Sequence, residues 1–375
     1  MIPNSKQGAL REQLLEVIGR DGAAPLDDQG FDQLAREIFA CQFENGAIYR
    51  AFCERRGVTP AAVESWLDIP AVPTDAFKAA PLISGGTPSG AEVVFRTSGT
   101  TAGSATRGTH YLLESSLYRA ALLESFRVNM LPDRDRIRVL SLVADRKEVV
   151  DSSLSFMMTE VVEALGAEGS RSFVSPAGAD ISGMREALRE AEREHEPVLI
   201  AGASFAFVHL LDALAETGEH FRLPAGSRVM DTGGFKGRSR VVPREELYQS
   251  ITDRLGVGSS YIVNEYGMTE MSSQFYDGVA GSAGPAGGGR LHRGPGWVRS
   301  AAVDPETLCP LPAGQVGVLR HMDLANLYSI ASLQTADMGV VHPDGEIEIF
   351  GRAVGADERG CSIAVDELLE VMGRR

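Results

Sequence analysis

The sequence has few cysteines and no long apolar run, and both shortages narrow the range of protein classes. Four cysteines occur in 375 residues, at 41, 53, 309 and 361. Their spacing fits no metal site, and so few do not suggest a disulfide scaffold. No stretch approaches the roughly 20 apolar residues of a membrane-spanning helix, and the N-terminus lacks a basic region followed by an apolar run. We therefore expect a cytoplasmic protein without a membrane span.

Basic residues are also scarce relative to acidic ones. The sequence holds 36 Lys and Arg against 51 Asp and Glu, which gives a formal net charge of −15. Nucleic-acid binding depends on Lys and Arg to neutralise phosphates, so this balance argues against a nucleic-acid partner. It does not exclude a nucleotide such as ATP, whose binding depends on local donors and a metal ion rather than on total charge.

The apolar pattern predicts an α/β fold. Residues 9–20 and 31–43 repeat apolar residues every three and four positions, which is typical of helices with one buried face. From about 90 to 270, short apolar runs alternate with helical patterns, which indicates mostly parallel sheets covered by helices. The predicted strands are 93–95, 137–143, 197–202, 227–234 and 260–267, and the predicted helices are 152–165, 181–194, 204–216 and 243–254, with Ser182 and Ser204 suited to cap two of them.

The end of the sequence predicts a smaller β-rich part. Residues 280–296 are rich in Gly, Ala and Pro and are expected to form a surface loop. The strand-like runs after it should be antiparallel, with a turn at Pro343-Asp344-Gly345. We therefore expect a helical N-terminal region packed on the core (1–80), an α/β core (81–279), a β-rich subdomain (280–350) and a short tail (351–375).

The segment FRTSGTTAG (95–103) places two Gly and four hydroxyl residues directly after the strand-like run Val93-Val94-Phe95. Glycine lets the backbone approach an anion closely, and backbone N–H groups with hydroxyls can surround phosphate oxygens. No Gly-Lys-Ser/Thr follows, so this is not a Walker loop. A flexible Ser/Thr/Gly turn is the alternative interpretation.

A second polar segment, NEYGMTE (264–270), comes directly after another strand-like run. In open α/β sheets, ligands bind outside the carboxyl ends of the strands. Tyr266 could stack on a base, Thr269 could donate to a phosphate and Glu270 could hold Mg²⁺. A polar exit from a strand is the alternative. If both segments leave strands of one sheet, they share a common edge and form one phosphate site.

Together, the two segments resemble the phosphate loop and the Tyr-Gly-x-Thr-Glu motif of the adenylate-forming superfamily, which includes acyl-CoA synthetases, peptide-synthetase adenylation domains and firefly luciferase. Within it, the chain is most similar to the acyl-protein synthetases, the LuxE-type long-chain fatty-acid ligases of bacterial bioluminescence. This resemblance runs from about residue 30 to the end. Its more particular segments are ADRKEVVDSSLSFMM (144–158), ASFAFVHLLDAL (203–214), DTGGFKGRSR (231–240), VNEYGMTEMSSQFYD (263–277) and GRAVGADERGCSIAVDELL (351–369).

The resemblance implies that the core binds a nucleotide and an acyl group, with ATP and Mg²⁺ used to form an acyl-adenylate. It also implies the residues that do so. Thr269 would contact the α-phosphate, Glu270 would hold Mg²⁺, and Phe205 and Phe207 would line the pocket for an aryl group or alkyl chain. The implied nucleotide-binding residues are Thr97, Ser98, Gly99, Thr100, Thr101 and Gly103 for the phosphates, Gly233, Gly234, Phe235, Tyr266 and Gly267 for the adenine, Asp337 for the ribose and Arg352 near the ribose or phosphate. An Asx turn is an alternative role for Asp337.

The sequence also departs from the superfamily pattern. The lysine that usually follows the phosphate loop is absent, and Arg107 is the candidate substitute. Little sequence follows Arg352, so we expect the short tail to replace the usual mobile C-terminal domain and its catalytic lysine. Lys236 is a candidate replacement cation, with a solvated loop lysine as the alternative.

Acyl-protein synthetases move the acyl group to a cysteine near their own C-terminus and then to a partner reductase, and Cys361 matches that position. A buried structural cysteine is the alternative. Three functions therefore stay open. The first is activation of a fatty or aryl acid with transfer to a thiol, either Cys361 or a partner protein. The second is a ligase that delivers an aryl or other acid to an amine, hydroxyl, carrier protein or CoA. The third is a non-catalytic nucleotide- or acyl-binding partner in a biosynthetic pathway.

Overall fold

The computed structural model describes residues 5–20, 26–98, 107–233, 239–282, 290–352 and 370. The helices in this part of the chain are α1 (Ser5–Arg20), α2 (Asp28–Asn45), α3 (Ala47–Arg55), α4 (Ala76–Ala79), α5 (Ser116–Met130), α6 (Ser153–Leu165), α7 (Ile181–Glu194), α8 (Ser204–Thr217) and α9 (Arg244–Leu255). The strands are β1 (Val72–Pro73), β2 (Val93–Arg96), β3 (Thr109–Leu112), β4 (Arg138–Leu142), β5 (Arg171–Ser172), β6 (Val174–Ser175), β7 (Gly178–Ala179), β8 (Val198–Ala203), β9 (Arg228–Thr232), β10 (Ile262–Tyr266), β11 (Phe275–Tyr276), β12 (Val298–Val303), β13 (Val316–Asp323), β14 (Ser332–Val341) and β15 (Ile347–Arg352). None of the helices described is long and apolar enough to cross a bilayer.

Contacts between residues divide the chain into two compact units. The first contains residues up to Leu122, Met268–Gln274 and residues from Arg293 onward, and the second contains Leu123–Gly267 and Phe275–His292. The chain therefore crosses between the units four times: within α5, after Gly267, after Gln274 and after His292. The four-part division derived from the sequence stays a prediction.

The second unit is built on a six-stranded sheet with the order β11-β10-β9-β8-β4-β5. All neighbouring strands are parallel except β11, which is antiparallel to β10. Every residue of β8 and β9 is buried, as expected for strands covered on both faces. Apolar side chains of α7, α8 and α9 pack with those of the sheet in one core cluster. The predicted parallel sheet covered by helices is confirmed.

The first unit contains a five-stranded sheet with the order β1-β14-β13-β12, in which β15 also pairs with β14. The pairs among β12 to β15 are antiparallel, and β1 joins β14 in parallel. A turn at residues 343–345 connects β14 to β15, with Gly345 at a φ of +84°. The predicted β-rich C-terminal part and the helical N-terminal region, α1 to α3, are both confirmed.

The predicted caps of two helices are wrong. Asp180 caps α7, because its Oδ1 accepts a hydrogen bond from the N–H of Gly183 at 2.8 Å, so Ser182 lies inside the helix. Helix α8 has no side-chain cap. The Ser204 hydroxyl donates to Asp231 Oδ1 at 2.7 Å, because a buried carboxylate is the stronger acceptor.

The strand before the Gly- and hydroxyl-rich segment does not belong to the parallel sheet. Strand β2 pairs only with β3, as an antiparallel hairpin in the first unit, within the described residues. The Gly- and hydroxyl-rich segment and NEYGMTE therefore follow strands of two different sheets. The reason is local, because β3 pairs with β2 and supplies the hydrogen bonds that a neighbouring parallel strand would otherwise provide.

Candidate active site

The β2–β3 hairpin presents the Gly- and hydroxyl-rich segment. The ladder continues one pair beyond the strands, since the N–H of Thr97 donates to the carbonyl of Gly108 at 2.9 Å and the N–H of Gly108 donates to Thr97 Oγ1 at 2.9 Å. Arg107 donates to the carbonyls of Arg96 and Thr97. Thr97 is half-buried and Ser98 is exposed, so the chain becomes exposed just beyond the last pair of the hairpin.

Glu270 lies beside the base of this hairpin. A Cβ placed on Gly108 would be 3.6 Å from Glu270 Oε1, 3.6 Å from Lys78 Cγ and 3.0 Å from Thr97 Cγ2, so these three side chains surround Gly108. Burial raises the pKa of Glu270 to about 7. Arg352 and Lys78 favour its charged form and Asp75 opposes it, but neither cation forms an ion pair with it among the described residues. A buried carboxylate without an ion-pair partner is suited to bind a metal ion, which would supply the opposite charge.

Side chains from elsewhere in the first unit hold the Thr269–Ser273 backbone. His110 Nδ1 lies 2.8 Å from the carbonyl oxygen of Thr269. The amide nitrogen of Asn326 donates to the carbonyl of Glu270 at 2.8 Å. The Asp323 carboxylate accepts hydrogen bonds from the N–H groups of Ser272 and Ser273. Sequence reasoning missed His110, Asn326 and Asp323, because no local motif marks them.

Asp337 and Arg352 also come together in the first unit. They stand opposite each other in the β14–β15 ladder, and Arg352 Nε lies 3.7 Å from Asp337 Oδ1. The Asp337 side chain is 16% exposed, whereas that of Arg352 is 71% exposed. Asp337 lies within a strand, so the Asx-turn alternative is wrong.

In the second unit, β10 ends at Tyr266. The Tyr266 ring contacts Phe275 and His292 at centroid distances of 5.8 and 6.1 Å. Gly267, the last residue of this stretch of the unit, is exposed. Burial lowers the pKa of His292 to about 3, and His292 Nε2 lies 2.9 Å from the Asn264 side-chain oxygen. The amide oxygen can only accept, so Nε2 carries the proton of a neutral ring.

A buried polar network lies at the carboxyl ends of β8, β9 and β10, and it was not anticipated from the sequence. Its centre is Asp231, whose Oδ2 accepts from Tyr248 at 3.2 Å and from Asn264 at 3.1 Å, while Oδ1 accepts from Ser204. Burial raises the pKa of Asp231 to about 6, and these hydrogen bonds oppose the shift. Gly233 follows with a φ of +64°, a conformation that favours glycine.

The remaining predicted residues divide into two groups. Phe205 is half-buried against the core of the second unit, and Phe207 is fully buried within it. The others lie outside the described residues: Gly99, Thr100, Thr101, Gly103, Gly234, Phe235, Lys236 and Cys361.

The described residues fit a metal site completed by substrate phosphates better than a site in which the protein supplies all the ligands. No group of three or more His, Cys, Asp or Glu side chains in the described ranges could hold a metal ion. Mg²⁺ commonly binds through one or two carboxylates together with substrate phosphates. Glu270, next to the hairpin that carries Thr97, fits that pattern.

A model of the acyl-protein synthetase family, LuxE, matches residues 30–370 of this chain. The chain belongs to the LuxE family of acyl-protein synthetases. It is an ATP-dependent ligase that activates a carboxylic acid as an acyl-adenylate.

Named relatives and solved structures agree with this assignment. The long-chain-fatty-acid–luciferin-component ligase of Vibrio harveyi is 25% identical over 346 residues, which cover 89% of this chain and 87% of the relative. The ligase of the same description from Aliivibrio fischeri is 23% identical over 355 residues, 90% of this chain and 88% of the relative. A crystal structure of 2-hydroxyisobutyryl-CoA ligase in its postadenylation state, with 2-HIB-AMP, has a TM-score of 0.59 at 17% identity. The match covers 90% of this chain and 72% of that one, and it shows the adenylate-forming fold.

Proposed function

We propose that this LuxE-family ligase activates a long-chain fatty acid with Mg²⁺ and ATP and transfers the acyl group to a thiol, first Cys361 and then a partner protein. The names of both bacterial relatives support the substrate, since each specifies a long-chain fatty acid and a second component. The observation that carries the proposal is the position of Glu270, whose buried carboxylate faces the base of the phosphate-loop hairpin beside Thr97.

Residues of the first unit are assigned to the phosphates, the metal and the ribose. Thr97 and Ser98, with Gly99, Thr100, Thr101 and Gly103, would bind the triphosphate through hydroxyls and backbone N–H groups. Thr269 would donate to the α-phosphate, and Asp337 would accept from the ribose hydroxyls. Bound Mg²⁺ would offset phosphate charge, and Glu270 would hold it.

Residues of the second unit are assigned to the adenine and the acid. Tyr266 would stack on the base, with Gly233 and Gly267 leaving room for the ring, and Gly234 and Phe235 completing that surface. Phe205 is half-buried on α8, where it could touch an alkyl chain, and Phe207 would support it from the core.

The proposed reaction has two steps, adenylation of the acid and transfer of the acyl group to a thiol. A carboxylate oxygen attacks the α-phosphorus, an acyl–phosphate bond forms, and pyrophosphate leaves with the electron pair of the broken bond. A thiolate sulfur then attacks the acyl carbonyl carbon, a thioester forms and AMP leaves. Arg107, Lys236 and Arg352 are the cations that would offset the developing charge.

The chemistry of the other cysteines favours Cys361 as the first acceptor. Cys41 and Cys53 are buried, and burial raises the pKa of both thiols, that of Cys53 to about 12. A thiol in that state is rarely a thiolate at neutral pH and is a poor nucleophile. Cys309 is exposed and serves as a matched control.

Covalent labelling tests the transfer step. The wild type, Cys361→Ser and Cys309→Ser would each be incubated with ATP, Mg²⁺ and a labelled long-chain fatty acid. We expect label on the wild type and on Cys309→Ser, released by neutral hydroxylamine as a thioester is, and none on Cys361→Ser. Label that persists on Cys361→Ser would exclude this cysteine as the acceptor.

A further inference from the structure

The backbone that carries Thr269 and Glu270 has little regular structure to hold it. It belongs to the connection between β10 and β11, residues 267–274, and one turn hydrogen bond, from the N–H of Met271 to the carbonyl of Met268, lies within it. Buried backbone groups need partners. Two consecutive carbonyls in this connection obtain theirs from side chains far away in sequence, His110 and Asn326.

We propose that His110 and Asn326 are positioning residues for adenylation: by donating to the carbonyls of Thr269 and Glu270, they set the direction in which the Thr269 hydroxyl and the Glu270 carboxylate point. We call these two residues the carbonyl-binding pair. The inference rests on the function proposed above, in which Thr269 contacts the α-phosphate and Glu270 holds Mg²⁺.

The hydrogen-bond chemistry of His110 fits this role and no proton-transfer role. A carbonyl oxygen can only accept, so Nδ1 is the protonated nitrogen of a neutral ring. His110 is 1% exposed, and its ring meets the edge of Phe77 at 5.8 Å. Its Nε2 has no hydrogen-bond partner among the described residues. The contact with Thr269 is therefore the polar interaction that orients the ring.

His110 also connects the two parts of the site. It lies on β3, two residues after Gly108, around which Thr97, Lys78 and Glu270 gather. The same short segment thus carries Gly108, which pairs with Thr97 at the end of the hairpin, and His110, the donor to Thr269. The His110 side chain therefore links this hairpin directly to the Thr269 backbone.

Asn326, the second residue of the carbonyl-binding pair, is held in one orientation at the Glu270 carbonyl. Its nitrogen donates to the carbonyls of Glu270 and Ile330, and its oxygen accepts from the Ser272 hydroxyl. Both ends of the amide are therefore committed, which fixes its orientation. Asp323, fully buried, accepts from the N–H groups of Ser272 and Ser273 in the same segment, so the backbone after Glu270 is held as well.

His321 provides a matched control for the loss of a buried histidine. It lies in the same unit on β13, is fully buried and contacts the Ser300 hydroxyl at 2.8 Å. Burial lowers the pKa of both rings, that of His110 to about 4 and that of His321 to about 3. The hydrogen bond of the His321 side chain runs to Ser300, which lies outside residues 269–273.

The experiment compares two amide replacements of His110. Asparagine places its N–H donor near the position of Nδ1, whereas glutamine places it near Nε2. Exchange of pyrophosphate into ATP, dependent on the acid, gives kcat and the KM for Mg-ATP in the wild type, His110→Asn, His110→Gln, His110→Ala, Asn326→Asp and the control His321→Asn. Thermal unfolding of each variant measures stability separately.

We expect kcat/KM for Mg-ATP to fall about 10- to 100-fold in His110→Gln, His110→Ala and Asn326→Asp, the range found when groups that orient metal ligands are lost. His110→Asn should recover most of it, and His321→Asn should keep wild-type kinetics even where its unfolding temperature falls. Equal kinetics in His110→Asn and His110→Gln, or losses that follow unfolding temperature across all variants including His321→Asn, would overturn the inference. An inactive wild type with every acid would instead refute the proposed function, and the inference with it.

Discussion

Arg352 Nε lies 3.7 Å from Asp337 Oδ1, across a ladder in which the two residues are direct partners. The carboxylate is mostly buried while the guanidinium is mostly exposed, so the pair presents one anchored acceptor and one cation free to follow a ligand. Such a pair is suited to a ribose next to a phosphate, because ribose hydroxyls donate and phosphates accept.

This relationship predicts that Asp337→Ala removes the enzyme's discrimination between ATP and 2′,3′-dideoxy-ATP. A hydrogen bond to a charged group contributes about 1.5–3 kcal/mol, so the wild type should prefer ATP by at least about tenfold in kcat/KM. The measurement is pyrophosphate exchange with each nucleotide. An unchanged preference in the variant would show that Asp337 does not contact the ribose.

Glu270→Gln tests the metal ligand. The substitution keeps the shape of the side chain and removes the charge, so use of Mg-ATP should weaken by about 10-fold or more, and high Mg²⁺ should recover part of it. Exchange rates would be measured across a Mg²⁺ titration, with Glu348→Gln, a partly exposed position on β15, as the control. Unchanged adenylation at limiting Mg²⁺ would contradict the assigned role.

Asp231→Asn tests the buried network of the second unit through pH. The folded pKa of about 6 lies above the ordinary value of 3.8, so the folded state holds this proton more tightly. The stabilisation that comes from this tighter binding of the Asp231 proton is complete below about pH 4. It is lost as pH rises through 6, and the free energy of unfolding falls by about 3 kcal/mol over that range. Asparagine cannot titrate, and the Ser204 hydroxyl can turn to accept from its amide.

We therefore expect Asp231→Asn to gain stability relative to the wild type between pH 4.5 and 7. Urea unfolding at several pH values would measure the difference in free energy. A difference that stays constant over this range would show that Asp231 titrates normally in the folded protein.

Sequence patterns predicted those parts of the fold that depend on local chemistry. Helices α6 to α9 and strands β8 to β10 fall within one or two residues of their predicted bounds, because their apolar periodicity and flanking residues are local signals. Asp337 and Arg352 were assigned from resemblance, and their pairing across β14 and β15 followed from strand register, which the sequence does not state.

The parts that the sequence did not predict depend on long-range partners. Strand β2 looks like any short apolar strand, and only its pairing with β3 excludes it from the parallel sheet. His110 lies 159 residues before Thr269, and a lone histidine in a strand has no signature of a positioning role. Ser204 was expected to cap a helix, but Asp231, 27 residues later, accepts its hydroxyl instead.

Acid-dependent exchange of labelled pyrophosphate into ATP tests the central claim most directly. The purified chain with Mg²⁺ would be assayed with a panel of fatty acids of increasing chain length, together with aryl and short-chain acids. We predict exchange that requires an acid, is strongest with long-chain fatty acids and is greatly reduced in Glu270→Gln. No exchange with any acid of the panel, from folded protein with Mg²⁺ present, would contradict it.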